Sequence, residues 1–584
     1  MSKNWQVIPK VTKDFIDKFP EINNVVLQLL ANRGLSSQED VDNFLFPNYE
    51  EQALDPFLFK DMPKAVERVL LAWQKKQKVM IFGDYDADGV CSTVLLFLTL
   101  KALGLEVETY IPFREGEGYG LNTKVVQQFI EQGYELLITV DCGVSNKNEI
   151  EILNDGKVDV IILDHHEEPI ELPSALAIIN PALKTSGYPE IELCGAGVAF
   201  KFVQALMKEQ ERTNSPIKLP TGFDKWLLDL VAVATVGDMV PLIKENRIFV
   251  KYGLTVLAKT KNLGLKKLME TINNKTGRYD AEYLGWRVVP RINAAGRIKH
   301  ASVAFNLLTS SSKEEAAKWV EILENNNTQR QQITEKILEQ AVYQIGEVKA
   351  EEKILFASGD EWSAGVVGLV AGKICDRHYR PTLVFSREKE GEKIKYVGSG
   401  RSIEEFDITA GLKECHEFLA RYGGHPQACG LTILGEDNFN NFKQRITALA
   451  QKQLAGVDLM SRLIIEAEVK LADINWELAD ELEKFEPYGE GNRKPLLAAF
   501  GLKVERVDTV GQDGKHLRMM VSQDDPQTPI RPDWKKLIGF SFGDWCAKLK
   551  VGEEIDIVFE LGVNEWNGNR ELQLKIIDLK LSEK

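Results

Sequence analysis

Residues 79–89 read Val79-Met80-Ile81-Phe82-Gly83-Asp84-Tyr85-Asp86-Ala87-Asp88-Gly89, an apolar run that stops abruptly at a set of acids and a glycine. Two later stretches repeat the plan. Leu137-Ile138-Thr139-Val140 runs into Asp141-Cys142-Gly143, and Ile161-Ile162-Leu163 runs into Asp164-His165-His166. Short runs of Val, Ile and Leu, bounded by turn residues and separated by helix-like stretches, predict buried parallel strands. In a doubly wound sheet, ligands sit at the carboxyl ends of such strands. The pattern therefore gathers Asp84, Asp86, Asp88, Asp141, Asp164, His165 and His166 on one rim. A lone D-x-D is more often a solvated turn, but acid clusters at three successive strand ends repel one another unless cations neutralise them. The rim predicts a metal centre with more than one ion.

The donor types narrow the metal. Asp86 and Asp88 are two residues apart, so their carboxylates can address different ions, and Gly89 lets the backbone turn sharply into the next helix. The amino end of that helix faces the same rim and favours anionic oxygens. A mixed carboxylate and imidazole set suits Mn²⁺ better than Ca²⁺, with Mg²⁺ as the alternative. Two ions about 3.5 to 4 Å apart are the recurrent device for activating water and stabilising the oxygens of a phosphoryl transfer.

The 584 residues suffice for three or four domains by the usual domain size of roughly 100 to 200 residues. Residues 1–64 read as a helical extension whose role the sequence does not disclose. Residues 65–311 alternate strand-like and helical runs, giving a doubly wound α/β domain. In 312–348, Trp319 and Leu323, then Ile333, Ile337, Ala341 and Ile345, recur at helical spacing and predict a long connector helix. Residues 349–457 start a second α/β domain with a strand, a helix and a strand. From 458 to 584 the character shifts to short strands (LIIEAEV, HLRMMVS, KKLIGFSF) and a hairpin about Asn567-Gly568, which fits a five-strand barrel of the OB type. The fold class is α/β multidomain with a C-terminal β-barrel.

A net charge of −15 argues against a generally basic nucleic-acid coat but leaves room for a basic channel. Seven scattered cysteines without a C-x-x-C pair point to a reducing compartment and no zinc ribbon. The polar amino terminus and the lack of an apolar stretch of about 18 residues lead us to expect a cytoplasmic protein that does not span a membrane.

The D-x-D, the strand-end Asp141, the DHH and the later Gly237-Asp238 together resemble the DHH phosphoesterase superfamily. PRINAAGR at 290–297, GSGRS at 398–402 and YGGHPQACG at 422–430 are similar to its branch of single-strand-specific 5′ to 3′ DNA exonucleases, which carry a DHHA1 second domain. The resemblance covers most of the chain from about residue 70. It implies Asp86 on one metal, Asp88, His165 and Asp238 on the other, and Asp141 bridging them, with Asp84 a further candidate ligand. His166 would contact the scissile phosphate or move a proton. Members outside this branch carry a His four residues before Asp86, where this chain has Phe82, so Asp84 or water would complete that site. The implied reaction is hydrolysis of the terminal phosphodiester of single-stranded DNA by water activated between two ions, in a groove too narrow for duplex. Single-strand-binding protein and a RecQ-type helicase are the partners implied, and monomer is the default.

A second constellation suits phosphate. In GSGRS, small residues flank Arg401 and let the backbone approach an anion that the guanidinium can grip in a fork. Gly423 and Gly424 similarly admit an anion to which His425 can donate. By the resemblance, Ser399, Arg401 and Arg114 hold the 5′-terminal phosphate and impose polarity, with Tyr119 in the same FREGEGYG segment. Arg291, Asn293 and Arg297 offer further donors, and Trp286 either stacks on a base or belongs to the core. Two other functions stay open: a DHH phosphodiesterase of short oligonucleotides or cyclic dinucleotides, which would not need the barrel, and a non-catalytic scaffold that binds single strands.

Overall fold

The computed structural model describes residues 3–114, 116–213, 218–274, 277–390, 393–523, 533–566 and 569–582. Its first sheet has five parallel strands in the order Glu106–Tyr110, Lys78–Gly83, Leu136–Val140, Asp159–Leu163, Ala177–Ile179. Both faces are covered, which is why the central strands are apolar throughout instead of alternating. The first strand in sequence lies between the second and the third, so the order reverses between Lys78–Gly83 and Leu136–Val140, where ligands lodge in such sheets. Register completes the arrangement. Gly83 lies opposite Val140, and Val140 opposite Leu163, so Asp84, Asp141 and Asp164 leave the sheet side by side.

Helices complete this domain. Ala87–Ala102, Gly195–Thr213 and Phe223–Gly237 pack against one another, and a second cluster holds Val90, Val233, Ile292 and Leu323. The helix Lys313–Ile345 runs 33 residues, about 50 Å at 1.5 Å per residue, and buries Leu323 against the first domain and Ile337 and Ala341 against the second. The second domain is a mixed five-stranded sheet in the order Arg421–His425, Ala428–Leu434, Lys393–Arg401, Thr382–Glu390, Leu355–Asp360, packed by the helix Ala364–His378.

The C-terminal domain is a closed barrel of Leu497–Val510, His516–Gln523, Asp533–Gly539, Asn569–Leu581 and Glu554–Trp566, the last returning to pair with the first. Two expectations are corrected here. In LIIEAEV only Ala467–Glu468 joins the barrel sheet, while Arg462–Ile465 pairs in parallel with Asn4–Val7. The extension is therefore not wholly helical, and it divides: Val26, Leu27, Leu30 and Phe44 share one core with Phe485 and Leu497, whereas Tyr49, Phe59 and Met62 pack into the core of the first domain. The Asn567-Gly568 turn and the Trp566 side chain lie outside the described residues.

Arg247 ties these pieces together. Its buried guanidinium donates to the carbonyls of Phe485 (2.7 Å), Lys484 (2.8 Å) and Phe44 (3.1 Å) and lies 4.0 Å over the Phe44 ring. Burial lowers its pKa to about 10. No helix among the described residues is long and apolar enough to cross a membrane.

Candidate active site

Asp86 caps the helix Ala87–Ala102, its Oδ1 accepting from the N–H groups of Asp88 (2.9 Å) and Gly89 (3.1 Å). The helix packs hard against the strand end, since a Cβ on Gly89 would come within 2.5 Å of the Asp84 carbonyl oxygen. Asp88 is buried and is held by a second helix end: Gly195 N–H donates to Oδ2 at 2.6 Å and Ala196 N–H to Oδ1 at 2.8 Å. Two helix amino ends thus converge on the rim and favour its negative charge.

Asp141 sits in the left-handed region, at φ 59°, as does Met239 beside Asp238, at φ 60°. Left-handed backbone is costly for residues other than glycine and persists where the surroundings over-determine it. His165 Nε2 lies 3.1 Å from Asp141 Oδ1, 3.8 Å from Asp88 Oδ2 and 3.7 Å from Asp238 Oδ2. Ligand atoms of Asp88, His165 and Asp238 fall within 4.8 Å of one another, as do those of Asp84, Asp86 and Asp141. Asp141 is thus common ground, one contact from His165 and within the second group.

Electrostatics test whether cations fit. Burial pushes Asp84, Asp141 and Asp238 well above the usual carboxylate range and Asp88 to about 7, and each also feels a neighbouring carboxylate, Asp86 for Asp84 and Asp88 and Asp88 for the other two. Burial, with the charge of His166, lowers His165 to about 4, so it is a neutral imidazole with a lone pair. Asp84 Oδ1 is buried without a hydrogen-bond partner. Five acids can be ionised together here only with positive charge among them, and the neutral imidazole offers its lone pair, so the donor set fits divalent cations. Phe82 is fully buried and stacks on Tyr110 at 5.6 Å between centroids, so nothing at that position reaches the rim.

Asp164 belongs beneath the rim rather than on it. Its buried carboxylate accepts from the N–H groups of Val144 (3.0 Å), His165 (2.8 Å) and His166 (3.2 Å) and meets His166 Nδ1 at 2.7 Å. Burial alone would raise its pKa, but the bond to His166 and the charge of that imidazole bring it down to about 2. His166 rises in turn: burial opposes its proton and the bond to Asp164 outweighs it. Sequence reasoning placed Asp164 with the others because a strand end does not say which way a side chain turns.

The second constellation faces the first. Arg401 Nη1 donates to Gly400 O at 2.8 Å and lies 3.5 Å from Ser399 Oγ. Arg297 donates to Gly365 O at 3.0 Å, and burial with the nearby Arg114 lowers its pKa to about 9. Arg114 lies 5.0 Å over the Tyr85 ring. Arg330 of the connector, which the sequence did not single out, adds a fourth cation beside Arg297. Gly423, Gly424 and His425 lie on an exposed strand, and His425 Nδ1 reaches to 3.8 Å from Glu167 Oε1 across the two domains. Arg291 forms an ion pair with Glu324 of the connector, and Asn293 Oδ1 accepts Ala87 N–H at 2.7 Å. Trp286 is 76% exposed, which removes the core alternative. Tyr119 places its hydroxyl 3.2 Å from Asp141 O and 3.1 Å from His166 Nδ1.

Comparison with known proteins converges on the same regions. The DHH family N-terminal domain matches residues 78–235, the DHHA1 domain 351–452 and the RecJ OB domain 465–578. The single-stranded-DNA-specific exonuclease RecJ of Bacillus subtilis is 35% identical over 562 residues, 96% of this chain and 68% of that one. That of Escherichia coli is 31% identical over 597 residues, 99% of each. The chain belongs to the RecJ family. A crystal structure of Thermus thermophilus RecJ in complex with Mn²⁺ matches all of this chain and 80% of that one at a TM-score of 0.82 and 29% identity, and its Mg²⁺ complex matches at 0.76 and 28%.

Proposed function

We propose that this chain is a metal-dependent exonuclease of single-stranded DNA that hydrolyses terminal phosphodiesters from the 5′ end and releases 5′-mononucleotides. The observation that carries it is the two groups of ligand atoms beside an arginine cluster, Arg297 feeling the charges of Asp86, Arg114, Arg330 and Arg401. Asp88, His165 and Asp238 would hold one Mn²⁺ or Mg²⁺, and Asp86 with Asp84 the other, Asp141 serving both. Bound there, the cations supply Lewis acidity toward the phosphate oxygens and lower the pKa of water. The side chains do the rest. Asp164 fixes the His166 imidazole at Nδ1 and takes the main-chain N–H of His165, and His166 would turn Nε2, which lies 3.3 Å from the Tyr119 hydroxyl, to a phosphate oxygen or the leaving 3′ oxygen. Arg114, Ser399 and Arg401 would grip the terminal phosphate and so set which end enters. Exposed Trp286, and Phe540 and Trp534 of the barrel, at 49% exposed each, offer stacking platforms that tolerate any sequence. A cytoplasmic monomer working with single-strand-binding protein and a RecQ-type helicase completes the reading.

The test is digestion of a long single strand labelled at its 5′ or its 3′ end, with Mn²⁺, with Mg²⁺ and with EDTA. Early release of only the 5′ label as mononucleotide, abolished by EDTA, is expected. Binding without hydrolysis in either metal, or preference for a dinucleotide over the long strand, would overturn it.

A further inference from the structure

One loop carries both a phosphate-gripping residue and a residue that touches the metal-ligand backbone. Between them stands Glu117, whose carboxylate accepts from Tyr110 OH at 2.5 Å and from Phe113 N–H at 2.6 Å, anchoring the loop to the edge strand of the sheet. On one side of that anchor Arg114 rests on the face of Tyr85 and forms no ion pair among the described residues. On the other side, beyond Gly118 at φ 82°, Tyr119 donates to the main-chain oxygen of Asp141 and contacts the His166 ring. Gly120, at φ 77°, closes the loop against Asn146, leaving 2.7 Å between a would-be Cβ and Asn146 Oδ1. Asp141 holds a left-handed backbone, so its carboxylate direction depends on what restrains that peptide.

We propose that this loop is a lever: engagement of Arg114 by the terminal phosphate is transmitted about Glu117 to Tyr119, which then sets the Asp141 peptide and the His166 ring for turnover. Tyr119 is thus a positioning residue rather than a substrate contact. The terminal phosphate serves turnover as well as affinity. This rests on the exonuclease reading above and extends it.

The experiment compares oligonucleotides with a 5′-phosphate and a 5′-hydroxyl, in Mn²⁺, with the full chain and its Tyr119→Phe and Arg114→Ala variants. In the parent chain the phosphate is expected to lower KM and raise kcat about tenfold, within the usual range of coupling between sites. In Tyr119→Phe the KM advantage should persist while the kcat advantage falls to about one. In Arg114→Ala both should disappear. Calorimetric titration with Mn²⁺ should give Tyr119→Phe an affinity within about twofold of the parent, since the ligands remain. A Tyr119→Phe variant that slows both substrates by the same factor, keeps the full kcat advantage, or loses Mn²⁺ affinity would overturn the lever. A parent chain that hydrolyses neither strand would instead overturn the exonuclease reading.

Discussion

Replacing Asp229 with asparagine should stabilise the first domain, and by an amount that depends on pH in a defined way. Asp229 is 1% exposed within the helix Phe223–Gly237, accepting from Thr260 Oγ1 at 2.5 Å and from Leu230 N–H at 2.7 Å. Burial raises its pKa from 3.8 to about 6, against those bonds. A raised carboxyl pKa means that the folded state holds its proton more tightly than the unfolded chain. Its favourable contribution is complete below the unfolded pKa, declines as pH rises, and is gone above the folded one. A shift of roughly 2 units at about 1.4 kcal/mol each makes ionised Asp229 cost about 3 kcal/mol at pH 8, and about 1.5 kcal/mol at pH 5. Asparagine carries no such cost. Its oxygen can keep the Leu230 bond, and its amide can donate to Thr260 Oγ1, which still takes Asn262 N–H but gives up its own donation to residue 229, a loss that is the same at both pH values. At about 2 to 4 °C per kcal/mol for a domain of this size, the melting temperature should rise by roughly 6 to 12 °C at pH 8 and by about half that at pH 5. Differential scanning calorimetry at the two pH values decides it. An equal shift at both, or a loss at pH 8, would refute the assignment of a buried ionised carboxyl.

Three further outcomes follow from the site and its supports. Asp164→Ala should lower turnover about 10- to 100-fold by releasing the His166 imidazole and the main-chain N–H of His165, with strand binding retained in a gel-shift assay. Gly195→Ala places a Cβ 2.7 Å from the Asp141 Cβ and pushes on the N–H groups that hold Asp88, so Mn²⁺ affinity measured by calorimetry should fall at least tenfold. Arg247→Met leaves the carbonyls of Phe44, Lys484 and Phe485 without their donor and should cost about 3 kcal/mol. Limited proteolysis of that variant should cut the first 60 residues sooner than in the parent chain.

The sheet of the first domain was legible because its central strands are apolar on both faces, so short aliphatic runs ending in acids had one economical interpretation. The connector was legible from its i+4 spacing. The strand Leu497–Val510 was not: LAAFGLKVERVDTV mixes alanine, glycine and charge, and its burial alternates only in part because it bends around the barrel with register shifts against both neighbours. At the site, motif spacing marked which residues meet but not their orientation. Asp164 is the clearest instance, an acid of the same strand end turned inward to serve backbone N–H groups. The ion pair of Arg291 was not legible because its partner, Glu324, comes from a helix 33 residues on. Arg330 was missed because a single basic residue in a polar helical run carries no local signal.

The pairing of Asn4–Val7 with Arg462–Ile465 bears on how the chain is made. The strand Asn4–Val7 leaves the ribosome long before Arg462–Ile465 and must wait for it. At about 5 to 20 residues per second, that wait lasts roughly half a minute to a minute and a half. Through it, the apolar face of Asn24–Asn32, with Val26, Leu27, Leu29 and Leu30, has none of the barrel core it will join. The catalytic sheet, with its strands close in sequence, can meanwhile close on its own. The two strands therefore zip together beside a domain that is already folded, and a product truncated before the barrel leaves the apolar face of Asn24–Asn32 sticky and unsheltered.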